Sequence, residues 1–168
     1  MKFLINNIVG QLRDIHGGKN WMGPNFNQKL AHITEDSAFV RPIANLHSVA
    51  EIISHLTTWR KEAILKIRTG RGSITDDDGE NWLSNNKLKE MGWDAILSSH
   101  RDTLNELIAL LETKDDGFLK EKYYDTDFGD YFEYKFVVHG MLHHDIYHLG
   151  QLGIIVKFLN GNTGRPIE

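Results

Sequence analysis

Apolar residues recur every three or four positions along most of the chain, which is the spacing of amphipathic helices. The pattern predicts four long helices, at roughly residues 2–15, 46–69, 87–113 and 131–160, and a shorter helix near residues 26–33. No segment shows the apolar–polar alternation of a β-strand convincingly. Four long helices in one chain predict an all-α fold, a four-helix bundle.

Helix-ending residues and one polar segment organise the chain. The second long helix is predicted to stop at Gly70. The last is predicted to end at Asn160-Gly161, which is typical of a left-handed helix cap. Residues 71–86 form a polar connector between the second and third long helices. Because no linker or internal repeat divides the 168 residues, we expect one domain spanning 1–168.

Composition and charge exclude several classes of protein. The net charge is 19 − 23 = −4 and there is no basic stripe, which argues against a nucleic-acid partner. The longest apolar runs are only a few residues, far short of the roughly 20 that a membrane-spanning helix needs. The first residues resemble a signal peptide only superficially, since no small-residue cleavage site follows them. We therefore expect a cytoplasmic protein with no membrane partner.

The absence of cysteine restricts the chemistry further. There can be no disulfide, no thiolate zinc site, no iron–sulfur cluster and no cysteine nucleophile. The chain also lacks the HExxH motif of zincins, the Glu-x-x-His pairs of ferritin-like di-iron proteins and the glycine-rich loops that hold nucleotides. Any metal ion must be bound through nitrogen and oxygen, which directs attention to the nine histidines.

Two histidine pairs lie four residues apart on the last long helix, His139/His143 and His144/His148. This spacing places two imidazoles on one helix face, as two metal ligands require. At about 100° per residue, the second pair lies in the middle of the apolar face and the first pair lies on another face. An apolar bundle interior is where a metal site is built, so His144 and His148 are the better candidates.

A third ligand must come from another helix, and His55 is the best candidate. It borders the buried face of the second long helix, with Glu51 and Glu62 on the same side and His47 about 80° away. Either glutamate could orient His55. Three imidazoles on two helices would leave a fourth position open for water or substrate, the pattern of a catalytic metal site.

Residues around His148 supply candidates for supporting roles. Gln151 could hydrogen-bond a metal ligand or a bound water, or it could be a helix–helix contact. Tyr147 could donate a proton. Asp145 could hydrogen-bond a histidine N–H, although its position is more typical of a solvated surface acid. Trp21 and Trp59 are expected to be packing residues.

These residues resemble the DinB-like (DinB/YfiT) superfamily. Its motif is a histidine in the second helix and His-x-x-x-His in the last long helix, usually followed by a basic residue and Gly-Gln. Here the counterparts are His55 and His144-Asp-Ile-Tyr-His148, followed by Leu149-Gly150-Gln151. Leu149 departs from the pattern, because many relatives have a basic residue there.

The resemblance implies a four-helix bundle with a crossover connection and a divalent metal ion, nickel or zinc, on the three histidines. It also implies a homodimer in many members. Some members are thiol-dependent S-transferases or isomerases, others are described as hydrolases, and most have no assigned substrate. For this chain we expect a small-molecule substrate. A thiol would have to be an external, low-molecular-weight cosubstrate, since the chain has no cysteine. One alternative is a non-catalytic bundle that binds a metal ion or a small ligand for stress response, sensing or storage. Another is a dimeric helical module whose histidines only pack.

Overall fold

The computed structural model describes residues 1–161, so the last seven residues of the predicted 1–168 domain lie outside the described residues. The four long helices are α1 (Phe3–His16), α4 (Val49–Thr69), α6 (Trp93–Glu112) and α7 (Tyr134–Gly161). The short helices are α2 (Phe26–Leu30), α3 (Glu35–Ala38), α5 (Asn85–Met91) and a 3-10 turn, Phe118–Lys120. Strands β1 (Lys122–Asp125) and β2 (Asp130–Glu133) form a hairpin.

The four long helices form a bundle with a crossover connection, as the resemblance implies. Helix α4 packs against α6 and α7, and α1 packs against the same two helices. Helices α1 and α4 therefore occupy opposite corners, although they are consecutive long helices. The core between them is formed by aliphatic side chains from all four helices, including Ile5, Leu12, Ile53, Leu56, Leu107, Leu111 and Leu152.

Helix α4 has well-defined ends that fix the position of its side chains. The Ser48 hydroxyl accepts a hydrogen bond from the Glu51 backbone N–H, and the Glu51 carboxylate accepts from the Ser48 N–H at 2.8 Å. This reciprocal capping box satisfies two N–H groups that have no partner within the helix. The helix ends at Gly70, as the sequence predicts, and Gly70 adopts the left-handed conformation with φ of 76°.

Three sequence predictions about secondary structure are wrong. The chain contains a β-hairpin, with Tyr123 opposite Phe132, and the last helix begins at Tyr134 rather than near residue 131 because β2 occupies the residues before it. The third long helix is divided at Gly92, whose φ of 81° separates α5 from α6. Four-residue strands are too short for alternation to stand out from a helical background.

The polar connector and the hairpin lie beside the same part of the bundle. The Tyr124 N–H donates to the Gly70 carbonyl, and the Gly72 N–H donates to the Tyr124 carbonyl, so the start of the connector pairs with β1. Strand β1 also packs against α4. Within residues 1–161, no helix combines the length and the apolar character that crossing a membrane requires.

Candidate metal centre

Three imidazoles meet where α4 packs against α7. The Nε2 atom of His144 lies 2.9 Å from Nε2 of His55 and 3.1 Å from Nε2 of His148. One ligand-capable atom from each residue lies within 4.8 Å of the other two. The structure thus brings together all three histidines that the sequence selects, although 89 residues separate His55 from His144.

Each outer imidazole is oriented by a hydrogen bond at its far nitrogen. His55 Nδ1 lies 3.1 Å from the backbone carbonyl of Asn81, and His148 Nδ1 lies 2.8 Å from Oε1 of Gln151. Both partners are acceptors, so each Nδ1 carries the proton and donates it. The Nε2 atoms of His55 and His148 are then unprotonated, and their lone pairs face His144.

This donor set fits a divalent metal ion. Unprotonated imidazole nitrogens are ordinary ligands for such ions, and the hydrogen bonds at Nδ1 are the usual supports of metal-binding histidines. Two nitrogens bound tetrahedrally at about 2.0–2.1 Å from zinc are roughly 3.3–3.4 Å apart. The observed separations are a few tenths of an ångström shorter, so small movements of the rings would accommodate an ion.

Burial keeps the three imidazoles neutral. Burial, together with the nearby histidines, lowers the pKa of His55 to about 4, although the hydrogen bond to Asn81 partly offsets it. The same two causes lower the pKa of His144 to about 3. Burial also lowers the pKa of His148, an effect that the hydrogen bond to Gln151 partly offsets. Neutral imidazole is the form that binds a metal ion, so the ligands need not lose protons near neutral pH.

The connector contributes to the site, which the sequence did not predict. Besides the Asn81 carbonyl, it supplies Trp82, whose indole stacks on His55 with a centroid separation of 3.8 Å and on His47 at 3.7 Å. Trp59 of α4 donates its indole N–H to the Asn81 side chain at 2.8 Å. Trp59 is therefore more than a packing residue, whereas Trp21, also predicted to pack, is 99% exposed.

A pocket of about 490 Å³ opens beside the triad, within the size range of small-molecule sites. His55 and His144 line it, and helix α7 and the hairpin form much of its wall. His139 and His143, the pair that the sequence ranked second, also line it but are exposed and belong to no three-residue metal group among residues 1–161.

Gln151 and Tyr147 occupy different environments. Gln151 contacts His148 directly, which is the ligand-supporting alternative considered for it. Tyr147 packs against the edge of His148 with ring centroids 4.9 Å apart, and its side chain is 63% exposed. Catalytic roles for both residues stay predictions.

The two glutamates expected near His55 do not orient it. Glu51 caps its own helix and forms an ion pair with Arg41. Glu62 accepts hydrogen bonds from the backbone N–H and the hydroxyl of Ser73. Both carboxylates are used to attach loops to α4, so the expectation that one of them supports His55 is wrong.

Asp145 is not a solvated surface acid. It is 1% exposed, and its carboxylate contacts Nη2 of Arg60 at 3.0 Å and Nε2 of His16 at 2.9 Å. Arg60 also donates to the carbonyl and Nδ1 of His100 at 3.1 Å. Burial alone would raise the pKa of Asp145, but the charge of Arg60 and the hydrogen bond from His16 hold it well below its ordinary value. This cluster of His16, Arg60, His100 and Asp145 joins all four long helices.

Comparisons with known proteins agree with the fold. The sequence profile of the DinB superfamily matches residues 21–152. YfiT from Bacillus subtilis, described as a probable metal-dependent hydrolase with an unusual four-helix bundle topology, aligns with a TM-score of 0.66 at 11% identity, covering 99% of this chain and 91% of its own. A DinB-like protein of the same organism, YjoA, gives a TM-score of 0.62 at 15% identity, covering 96% and 95%.

No curated protein matches the sequence. At these identities the two solved structures show a shared fold, and they say nothing more about this chain. The family profile, by contrast, covers most of the sequence, including all three histidines of the triad. The chain belongs to the DinB superfamily.

Proposed function

We propose that this protein is a metal-dependent hydrolase of a small molecule, in which His55, His144 and His148 bind one divalent ion. The observation that carries the proposal is the convergence of three Nε2 atoms beside a pocket that two of the three histidines line, with two rings held in the ligand tautomer. The description of YfiT as a probable metal-dependent hydrolase is consistent with it.

The chain's own residues would orient the ligands and shape the substrate site. Asn81 and Gln151 hold the outer imidazoles through their Nδ1 protons, and Trp82 limits the rotation of His55 by stacking on it. A divalent ion on three imidazoles supplies a Lewis acid and lowers the pKa of water at its open position to about 7. Tyr147, beside His148, is the candidate proton donor to a leaving group.

The first test is metal content, measured by elemental analysis on protein made without a polyhistidine tag. We expect about one divalent ion per chain in the wild type and loss of that ion in His55→Ala, His144→Ala and His148→Ala. His139→Ala is the matched control, because it removes an exposed imidazole from the same helix. A wild type that takes up neither zinc nor nickel on dialysis would refute the proposal.

The second test is turnover of a panel of esters and amides, with and without added low-molecular-weight thiols. Hydrolysis that needs all three histidines supports the proposal. Turnover only with a thiol would assign an S-transferase, with the sulfur supplied from outside because the chain has no cysteine. Stoichiometric metal without turnover would favour the non-catalytic binding alternative.

The same preparations address metal identity and assembly. We propose zinc or nickel as the bound ion and a homodimer as the assembly, both on the basis of the family resemblance. Competition between the two ions during reconstitution would identify the preferred metal. Sedimentation equilibrium of the metal-loaded protein would give the mass of the assembly.

A further inference from the structure

The pocket beside the triad follows one face of α7. Phe136, Gly140 and His144 all line it, and their spacing of four residues places them one above another on the helix. From Phe136 to His144 the helix rises about 12 Å. Gly140 lies between the two, so this part of the pocket wall has no side chain.

Packing does not require a glycine at position 140. A Cβ added there would meet no atom within 4 Å, and Gly140 does not have a positive φ. Glycine in the middle of a helix lowers its stability relative to alanine. The consequence visible in the structure is open space between the aromatic end of the pocket and the triad.

Most of the exposed surface that lines the pocket is apolar, although eight of the fifteen lining residues are aspartate, lysine or histidine. Six of its side chains are aromatic or aliphatic: Trp59, Tyr123, Phe128, Phe136, Val137 and Met141. The buried charges in the wall neutralise each other, since Lys66 Nζ lies 2.9 Å from Oδ2 of Asp125. The Tyr123 hydroxyl donates to the same oxygen at 2.9 Å. The other ionisable residues that line the pocket away from the triad are exposed or half-buried: Asp76, Asp127, His139 and His143.

Two aromatic side chains at the end away from the triad are largely open to solvent. Phe128, in the hairpin turn, is 62% exposed and Phe136 is 44% exposed, and their rings meet edge to face with centroids 5.6 Å apart. An apolar group placed against them would bury surface that now contacts water, which is favourable in proportion to the area.

We propose that this pocket selects substrates with an extended, uncharged apolar chain, and that Gly140 determines this specificity by leaving space for that chain. The proposal rests on the proposed function, because it assumes that the other end of the substrate reaches the triad. The apolar chain lies along α7 past Gly140, and its far end contacts Phe128 and Phe136.

The test uses zinc-loaded protein and straight-chain hydroxamates, from acetohydroxamate to octanohydroxamate, titrated by calorimetry. The hydroxamate group binds the ion in every compound, so only the length of the apolar chain changes. We expect affinity to rise about four-fold for each methylene that becomes buried. Equal affinities along the series would overturn the proposal.

Gly140→Leu is the decisive variant, and Gly150→Leu is its matched control. Both glycines lie on α7 with no atom within 4 Å of an added Cβ, but Gly150 is exposed and does not line the pocket. Relative to its own affinity for acetohydroxamate, we expect Gly140→Leu to lose most of the gain with chain length, while Gly150→Leu keeps it. A full gain in Gly140→Leu would refute the assignment of that residue.

A second probe separates this inference from the proposed function. The neutral dye N-phenyl-1-naphthylamine, which fluoresces in apolar surroundings, is titrated into the same proteins without metal. Dye binding that is lost in Gly140→Leu but kept in Gly150→Leu supports the apolar pocket even if the chain binds no zinc. Zinc uptake without dye binding or chain-length dependence would refute the inference and leave the metal site standing.

Discussion

Replacing Asp145 by asparagine is expected to destabilise the fold strongly, even though the side chains have nearly the same size. The carboxylate and the guanidinium of Arg60 are each 1% exposed and contact each other at 3.0 Å. The substitution removes the negative charge and leaves the Arg60 charge buried without compensation. It also replaces the strong acceptor of the hydrogen bond from His16.

The size of the effect follows from burial. Breaking a buried ion pair by removing one partner costs about 3–5 kcal/mol, because the remaining charge stays away from water. The exposed pair of Arg13 and Glu112 has a similar separation, 2.8 Å, but its side chains are 56% and 45% exposed. Pairs of that kind contribute about 0–1 kcal/mol. Glu112→Gln is therefore the matched control.

The assay is urea unfolding at neutral pH, with the free energy of unfolding taken from the midpoint and slope. The double variant Arg60→Met/Asp145→Leu is expected to recover part of the loss, because no isolated charge remains although His16 and His100 lose partners. A loss of less than about 1 kcal/mol in Asp145→Asn, or a loss equal to that in Glu112→Gln, would refute the reasoning.

Three further predictions concern the metal ligands, the helix that carries His55 and the response to pH. Gln151→Leu removes the acceptor for His148 Nδ1, so zinc affinity measured by competition with a chelating dye should fall about 10- to 100-fold; unchanged affinity would contradict a supporting role. Ser48→Ala removes the N-cap of α4 and should lower the free energy of unfolding by about 0.5–2 kcal/mol in urea titrations, and a smaller change would mean that another group caps the helix. Burial lowers the pKa of His16 and His100 below 6.5. As the pH falls, the unfolded chain therefore takes up protons at these histidines that the folded chain does not. The free energy of unfolding should fall from pH 7 to pH 5 by up to about 1.4 kcal/mol per pH unit for each group. His100→Gln should make this dependence shallower, and a slope identical to that of the wild type would count against the assignment.

The ligand triad could be predicted because its residues obey helix periodicity. His144 and His148 lie on the apolar face of α7, and His55 borders the apolar face of α4, so a helical projection finds all three. The projection also contained the signal for Asp145, which lies at about 100° from His144, only about 20° from the buried Leu152. The prediction that Asp145 is solvated is wrong because Arg60 is buried beside it and forms an ion pair with it.

The contacts that the connector makes with the histidines, and the hairpin itself, could not be predicted from helix periodicity. The role of Asn81 depends on a backbone carbonyl, which every residue has, and the stacking of Trp82 depends on the path of an irregular loop. Neither the carbonyl contact nor the ring stacking produces a periodic pattern in the sequence. The strands that contain Tyr123 and Phe132 have four residues each, too few for alternation to be distinguished from helical spacing.

The diagonal placement of α1 and α4 has a consequence for the synthesis of the protein. The apolar side chains of α1, among them Ile5, Ile8 and Leu12, pack mainly against α6 and α7. Helix α1 is synthesised well before these partners, which begin only at Trp93 and Tyr134. Its apolar face therefore lacks both partners until α6 and α7 have been made, and exposed apolar surface of this kind makes a nascent chain prone to aggregation.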